Sequence, residues 1–422
     1  MVLRRVAIAL VMIATFTPAL TSGPAGAADP TPLTDTAPVG AVGATAWIAG
    51  TIGPDGAVMR SNHTADPSAT VNAVLAFAAT GTHADLADDA LGWLATHIDD
   101  VAQSSGADRP GALAQLILAV VAGGGDARHF GGTAAANDLI ARLQATRTEV
   151  GADAGLYGDP DPYSSAYTQG LALAALAAAD IADPLAAGWL IDRQCADGSW
   201  MPYRDAATVD CPPFDWDTFI GADSNTTAVA AMGLSAQGAE PNHDVTAWFA
   251  QTRSTTGGWS FVAAPDAQDD PNSTALAISA LLALGQNPDT TGAGGAAVTP
   301  AARLLSFQLG CDAGDGDRGA FWFPGSFDPS PMSTGQAALA LAGSALPVTV
   351  RSVPLSTVDP CAPTTTTTTP ATSTTVTTTA TTTTTTTTTA ATTTTTTAAV
   401  KGTTATRAAS ATASSSRANY AG

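Results

Sequence analysis

The chain has 422 residues, 45% of them hydrophobic and 12% charged, an apolar share that supplies a sizeable core and excludes global disorder. With 16 Lys and Arg against 36 Asp and Glu, the formal net charge of -20 excludes a nucleic-acid partner met through cationic side chains. Glu149 and Glu240 are the only glutamates, so the acidity is almost all Asp, which favours caps and turns over helix interiors.

In chain order, residues 1–27 read as a cleaved secretory signal. Met1 to Arg5 is basic, Val6 to Phe16 is a short apolar run, and Ala25-Gly26-Ala27 is a small-residue cleavage site. A short lead over 28–44 precedes a globular part over 45–363, in which no run approaches the ~20 apolar residues of a membrane span. From Thr364 to Gly422 the composition collapses to Thr, Ala and Ser, including the uninterrupted Thr381 to Thr389. Such a segment cannot offset its ordering entropy by burial, so it is expected to be a disordered stalk and an O-glycosylation substrate. The expected location is secreted, or loosely associated with the cell wall, of the bacterial type, with no integral span in the mature chain. Export permits disulfides, and Cys195, Cys211, Cys311 and Cys361 allow three pairings. Sequence proximity favours Cys195 with Cys211 and Cys311 with Cys361.

The globular part repeats itself six times. Each copy has an apolar helix end, a turn carrying Gly and an aromatic, a short loop with Asp, and a small-residue helix. The copies run from Trp47 through Asp55-Gly56 to a helix over 68–77; from Trp93, with a degenerate turn, to 111–121; and from Leu143-Gln144 through Gly155-Leu156-Tyr157 to 164–178. The last three run from Trp189 and Gln194 through Gly198 and Trp200 to 227–236; from Trp248 and Gln251 through Gly258 and Trp259 to 274–284; and from Leu305 and Gln308 through Gly319 and Phe321 to 334–342. The first helix of each copy reads as amphipathic and the second as apolar all round, and a helix without a polar face is buried on every side. The expected fold is therefore all-α, six helical hairpins closed into an (α/α)6 toroid, followed by the disordered Thr-rich tail. An open superhelix of helix pairs fits the same pattern.

Gln194-Cys195-Ala196-Asp197-Gly198-Ser199-Trp200 resembles the Gln-to-Trp repeat of squalene and oxidosqualene cyclases, and Gln251 to Trp259 is similar with a longer gap. The pattern over about Thr45 to Leu346 is similar to the α/α-toroid superfamily of terpenoid cyclases and protein prenyltransferase β-subunits. Physically the motif is a brace, in which the Gln amide bonds free backbone groups at a helix end and the Trp ring packs over it.

That resemblance implies where enzymatic residues would stand. Class II cyclases protonate an alkene or epoxide with an Asp-x-Asp-Asp-Thr-Ala motif, which demands a protonated acid aimed into an apolar cavity. The matching place is Asp223-Ser224-Asn225-Thr226-Thr227-Ala228, where Asn225 replaces the proton donor. Asp223 is then the remaining catalytic candidate if the protein is an enzyme. The fifth copy repeats the form as Asp270-Pro271-Asn272-Ser273-Thr274-Ala275, and a feature shared by two copies reads as a helix N-cap. Class I prenyl chemistry needs Asp-Asp-x-x-Asp to hold divalent metal, and Asp88-Asp89, Asp99-Asp100 and Asp269-Asp270 all lack the last acid. A zinc site from Asp210, Cys211 and His243 competes with the disulfide expected of Cys211.

Two loops remain as site candidates. Asp312, Asp315 and Asp317 lie in a Gly-rich turn whose oxygens suit Ca²⁺, the one cofactor the sequence suggests. Phe214, Asp215, Trp216, Asp217 and Phe219 interleave aromatics and acids in the long insertion between Trp200 and Thr227, the composition of a recognition loop; a plug over the ring mouth fits it as well. The function expected is a secreted, non-catalytic toroid presenting a binding surface for a hydrophobic small molecule or an extracellular protein or glycan. A terpene-cyclase or prenyltransferase-like enzyme acting on an isoprenoid is the alternative.

Overall fold

The computed structural model describes residues 33–356, apart from 35, 206–209, 219, 264–266, 293–295, 297, 315 and 327. Contacts divide the chain into two units, 1–361 and 362–422. The leader over 1–27, Cys361 and the Thr-rich segment lie outside the described residues.

Regular structure is almost wholly helical. In order come α1 (Ala37–Thr51), α2 (Pro67–Thr80), α3 (Ala84–Thr96), the short α4 (Ile98–Ala102), a hairpin of β1 (Gln103–Ser104) and β2 (Ala107–Asp108), and α5 (Pro110–Ala122). Then follow α6 (Leu139–Ala145), α7 (Ser165–Ala178), α8 (Pro184–Asp192), α9 (Ser224–Ala236), α10 (Val245–Thr252), α11 (Pro271–Ala283), α12 (Pro300–Leu305) and α13 (Pro331–Leu341). The small-residue helices α2, α5, α7, α9, α11 and α13 pack side by side in that order, and α13 packs back against α2. α9 is buried without a break from Ser224 to Leu234 and α11 from Pro271 to Leu281, as expected of helices with no polar face. Gly170 of α7 and Gly233 of α9 let two of them meet backbone to backbone, since a Cβ on either would run into the other helix's main chain.

The Gly turns hold one copy to the next. Gly56, Gly155, Gly198, Gly257 and Gly319 all have φ between 90° and 102°, which only Gly adopts at no cost. Each lies against a main-chain carbonyl of the following copy: Asp89, Leu185, Asp244 and Val298 for the first four, and Gly43 of α1 for Gly319. The second copy has no such turn; the β1–β2 hairpin stands there instead, with Asp108 bound to Arg142 of the third copy.

The Gln brace forms where Gln194 donates Nε2 to the carbonyls of Gly198 and His243, both at 3.0 Å, and accepts from His243 N–H at 2.8 Å. Gln308 does the same work at Gly319 and Gly40. Gln251 does not: it is exposed, and Arg253 takes its place, donating to the carbonyls of Gly257, Thr291 and Val298. The spacing explains the correction, because Arg253, like Gln194, stands six residues before its Trp. Likewise Gly257, not Gly258, corresponds to Gly198; Gly258 has no positive φ. Trp200 and Trp259 are fully buried and donate their indole N–H to Leu190 and Phe249 carbonyls.

A second brace was not visible in the turn motif. Thr70, Thr227, Thr274 and Thr334, each the fourth residue of an inner helix, accept the backbone N–H of Val58, Trp200, Trp259 and Phe321 at 2.9–3.1 Å. The helices α9, α11 and α13 accordingly start three residues before the Thr that the sequence suggests as their beginning. Asp223, Asp270 and Ser330 supply the caps. α1 begins at Ala37, within the stretch read as a lead.

After α13 the chain crosses the C-terminal ends of the inner helices. Arg351 donates to the carbonyls of Ala79 and Ala342, and the N–H groups of Arg351 and Leu355 bond Ala78 and Thr80. These contacts set Leu346 against Met232 of α9, where its N–H lies 3.5 Å from the Met sulfur.

Candidate functional site

The inner helices enclose an axial cavity of about 50 Å³, with Leu346 at its floor. Pockets for drug-sized ligands run to ~300–1,000 Å³. The cavity is therefore several times too small for an isoprenoid chain.

The place of the class II acid lies at the N-terminal end of α9. Asp223 is 1% exposed and caps the helix: one carboxylate oxygen accepts from Thr226 N–H and the other from the Thr226 hydroxyl, both at 2.7 Å. Burial pushes its pKa up to about 7, and the hydrogen bonds from Thr226 offset only part of that. Asp223 does not line the axial cavity. Asn225 is buried, and its side-chain oxygen has no hydrogen-bond partner among the described residues. Asp270 repeats the arrangement on α11 with Ser273, and burial pushes it up to about 6.

The paired acids point elsewhere than to the axis. Asp88 and Asp89 border an open surface cleft with Asp55 and Trp93. Asp99 is paired with Arg142 at 2.9 Å, and Asp269 with Arg303 at 3.1 Å. Cys211 is joined to Cys195, which removes the thiolate that a zinc site with Asp210 and His243 would need. Cys311 is not a free thiol, and Cys361 lies outside the described residues. In the other acidic turn Asp312 and Asp317 are exposed, while Asp315 lies outside the described residues. Trp47 of α1 ties this turn down through Gly316 at 3.0 Å. Among the described residues no three acids, His or Cys come together as a metal would require.

The insertion after Trp200 is built as a platform. The Cys195–Cys211 bridge and Arg204, which donates to the Gln194 carbonyl, pin its root to the fourth turn. Asp215 folds its tip, accepting from Asp217 N–H at 2.9 Å and the Thr218 hydroxyl at 3.0 Å, so its carboxyl sits below the usual range. Phe214 stacks edge-on against Trp216 (5.1 Å between ring centroids) and against Phe261 of the next copy (5.6 Å). Trp216 remains 58% exposed and Ile220 38%. Asp217 is exposed, and Phe219 lies outside the described residues. Phe261 was missed as a member of this group; its carbonyl accepts the Ser224 N–H at 2.9 Å, a contact between copies that no local pattern announces. No described residue of the insertion lines the axial cavity.

No protein-family model matches the sequence, and no curated protein does. Among solved structures the chain is similar to ent-copalyl diphosphate synthase from Streptomyces platensis, at 20% identity over 66% of this chain and 50% of that one, with a TM-score of 0.39. It thus spans about half the length of that synthase. It is also similar to the type II terpene cyclase MstE from Scytonema (15% identity, 72% and 96% of the two chains, TM-score 0.47). An alpha-amylase from Clostridium perfringens resembles it as well (12%, 72% and 97%, TM-score 0.48). All three likenesses are at low identity.

Proposed function

We propose that the protein is a non-catalytic α/α-toroid of six helical hairpins, exported and carried on its Thr-rich segment, that binds an extracellular protein or glycan. The carrying observation is the platform of Phe214, Trp216 and Phe261, which leaves a Trp ring 58% exposed on an aromatic base. Exposed aromatic surface held in place by a disulfide and a folded loop tip is a common way to present a recognition site. Two further features support the same reading: the axial cavity holds about 50 Å³, and an amide, Asn225, stands where a proton donor would be needed. In the six-hairpin account the five Gly wedges are the joints between copies, and the contact of Gly319 with α1 is the closing joint.

The test is retention of the full chain on cell-wall polysaccharide and on surface-protein extracts, with Trp216→Ala and Phe261→Ala compared by circular dichroism. Loss of retention with the fold intact is expected, and unchanged retention in both variants would sink the proposal.

One observation favours the isoprenoid enzyme as a second reading: Asp223 is a buried carboxyl with its pKa raised to about 7, the range of a working general acid. Turnover of squalene or geranylgeranyl diphosphate that disappears in Asp223→Asn would establish it over the first.

A further inference from the structure

The inner helices present their side chains to the axis in two layers three residues apart. At the sixth position stand Asn72, Gln115, Val229, Leu276 and Gln336, and at the ninth Leu75, Leu118, Met232, Ser279 and Leu339. That spacing places both sets on one face of each helix. Asn72, Gln115 and Gln336 are partly exposed, whereas all five ninth-position residues are buried, so the cavity opens towards the helix N-termini and ends on an apolar floor. Tyr167 of α7 joins the upper layer.

The polar members of these layers are the anomaly. The side-chain oxygen of Gln336 is buried with no hydrogen-bond partner among the described residues, and Asn72, Gln115, Tyr167 and Ser279 line the cavity with it. Ser279 is 1% exposed and lines the cavity. Buried polar groups in folded proteins are otherwise nearly all satisfied, and leaving them open destabilises the fold. The orphaned Gln336 oxygen, at one level with the amides of Asn72 and Gln115, therefore calls for a bound partner. We propose that the axial cavity is a binding site for a small uncharged polyol, of the size of glycerol or the hydroxymethyl end of a sugar, held by Asn72, Gln115, Gln336, Tyr167 and Ser279.

The class of ligand follows from the lining. No carboxylate or cation faces the cavity. Its single titratable group, Tyr167, is kept protonated, because burial and then the nearby Asp223 push its pKa up to about 12. The site therefore offers no counter-charge to an ion. Amides and hydroxyls each donate and accept, which matches vicinal hydroxyls. The ring of Leu75, Leu118, Met232 and Leu339 below them suits the C–H face of a polyol better than it suits water. A water-sized group needs ~10–15 Å³ of such space, so about 50 Å³ takes roughly three to five of them, with the open mouth receiving whatever projects.

The experiment is ligand-observed NMR and calorimetry on the full chain with glycerol and erythritol, with the zwitterion betaine as the charged control. Polyols stabilise any protein at molar concentration by exclusion from its surface, so saturation in the millimolar range is the readout. Saturable binding of the polyols and not of betaine is expected, weakened at least tenfold in both Gln336→Leu and Ser279→Ala. Ser279→Ala removes one hydroxyl and guards against a folding defect in the larger change. No saturable binding, equal binding in both variants, or a polyol-soaked crystal with water alone in the cavity would overturn the proposal.

Discussion

Asp183 and Asp223 do the same local job and are hidden to a similar degree, 4% and 1% exposed, yet they titrate in opposite directions. Each caps a helix by accepting the N–H three residues on, Ala186 for α8 and Thr226 for α9. The difference lies at the second oxygen. For Asp183 it receives Arg147 at 2.7 Å and the Tyr157 hydroxyl at 2.6 Å; for Asp223 it receives only the Thr226 hydroxyl. Burial by itself would raise Asp183, but the bonds from Tyr157, Ala186 N–H and Arg147 outweigh it and hold the carboxyl below its ordinary value. Arg142, Arg147 and Arg303 pair with Asp108, Asp183 and Asp269, and Arg60 with Asp66, the partly exposed cap of α2; among the described residues no cation pairs with Asp223 or Asp270. A buried cap is thus pushed up or down according to whether a cation reaches its second oxygen.

The largest test of that contrast is Asp183→Asn. Removing one partner of a buried ion pair strands the other, a cost of ~3–5 kcal/mol. Arg147 keeps Glu149 at 2.9 Å, so the lower end, about 3 kcal/mol, is expected from urea denaturation at pH 8. A loss within error of that of an exposed control such as Asp244→Asn would show that the cap, not the charge pair, is what matters. Thr227→Val comes next. It leaves the buried Trp200 N–H without its acceptor and should cost about 2 kcal/mol, the usual penalty for an orphaned buried donor. Thr274→Val should match it at Trp259, since the two sites share geometry to 0.1 Å. A markedly smaller loss at both would mean that the turn holds without the Thr.

Much of the frame is readable in the sequence because it depends on local repetition. The apolar helices, the Gly turns and the fourth-copy Gln brace all follow from residues within a few positions of one another. What escaped depends on the ring's joints. Arg253 replaces a Gln because its reach ends on Thr291 and Val298, in the following copy. The Thr braces join a turn to a helix 12 to 27 residues later, so no local motif shows them. The amides of the axial cavity were hidden for the same reason: Asn72, Gln115 and Gln336 become neighbours only when the first, second and sixth copies face one another. Phe261 joined the aromatic platform across a copy boundary. Asp223 was readable as a cap from its repeat in Asp270, while its raised pKa needed the absence of a nearby cation to be seen.

The subtlest prediction reverses the sign of the first. A carboxyl whose folded pKa lies above its unfolded value of about 3.9 stabilises fully below that value, and its contribution is lost as pH rises through the folded pKa. For Asp270 and Asp223 the loss runs from about pH 4 to their folded values of about 6 and about 7. Asp183 and Asp108, depressed by their Arg partners and hydrogen bonds, act in the other sense: their stabilisation is present above pH 4 and is lost on acidification. Stability should therefore peak between about pH 4 and pH 6 and decline towards neutrality. In the double variant Asp223→Asn, Asp270→Asn the decline should flatten, because Asn caps a helix about as well as Asp and has no proton to give up. At pH 8 the variant should be more stable than the parent by about 1 kcal/mol, a gain of the size usual when an unpaired buried charge is replaced by a neutral cap. Denaturation from pH 4 to pH 8 reads both effects. Self-repulsion from the net charge of -20 also weakens the fold as pH rises, but two substitutions leave most of it in place. A decline of the same slope in parent and variant would assign the pH dependence to that general repulsion, and the two inner caps would then differ from Asp183 in partner but not in consequence.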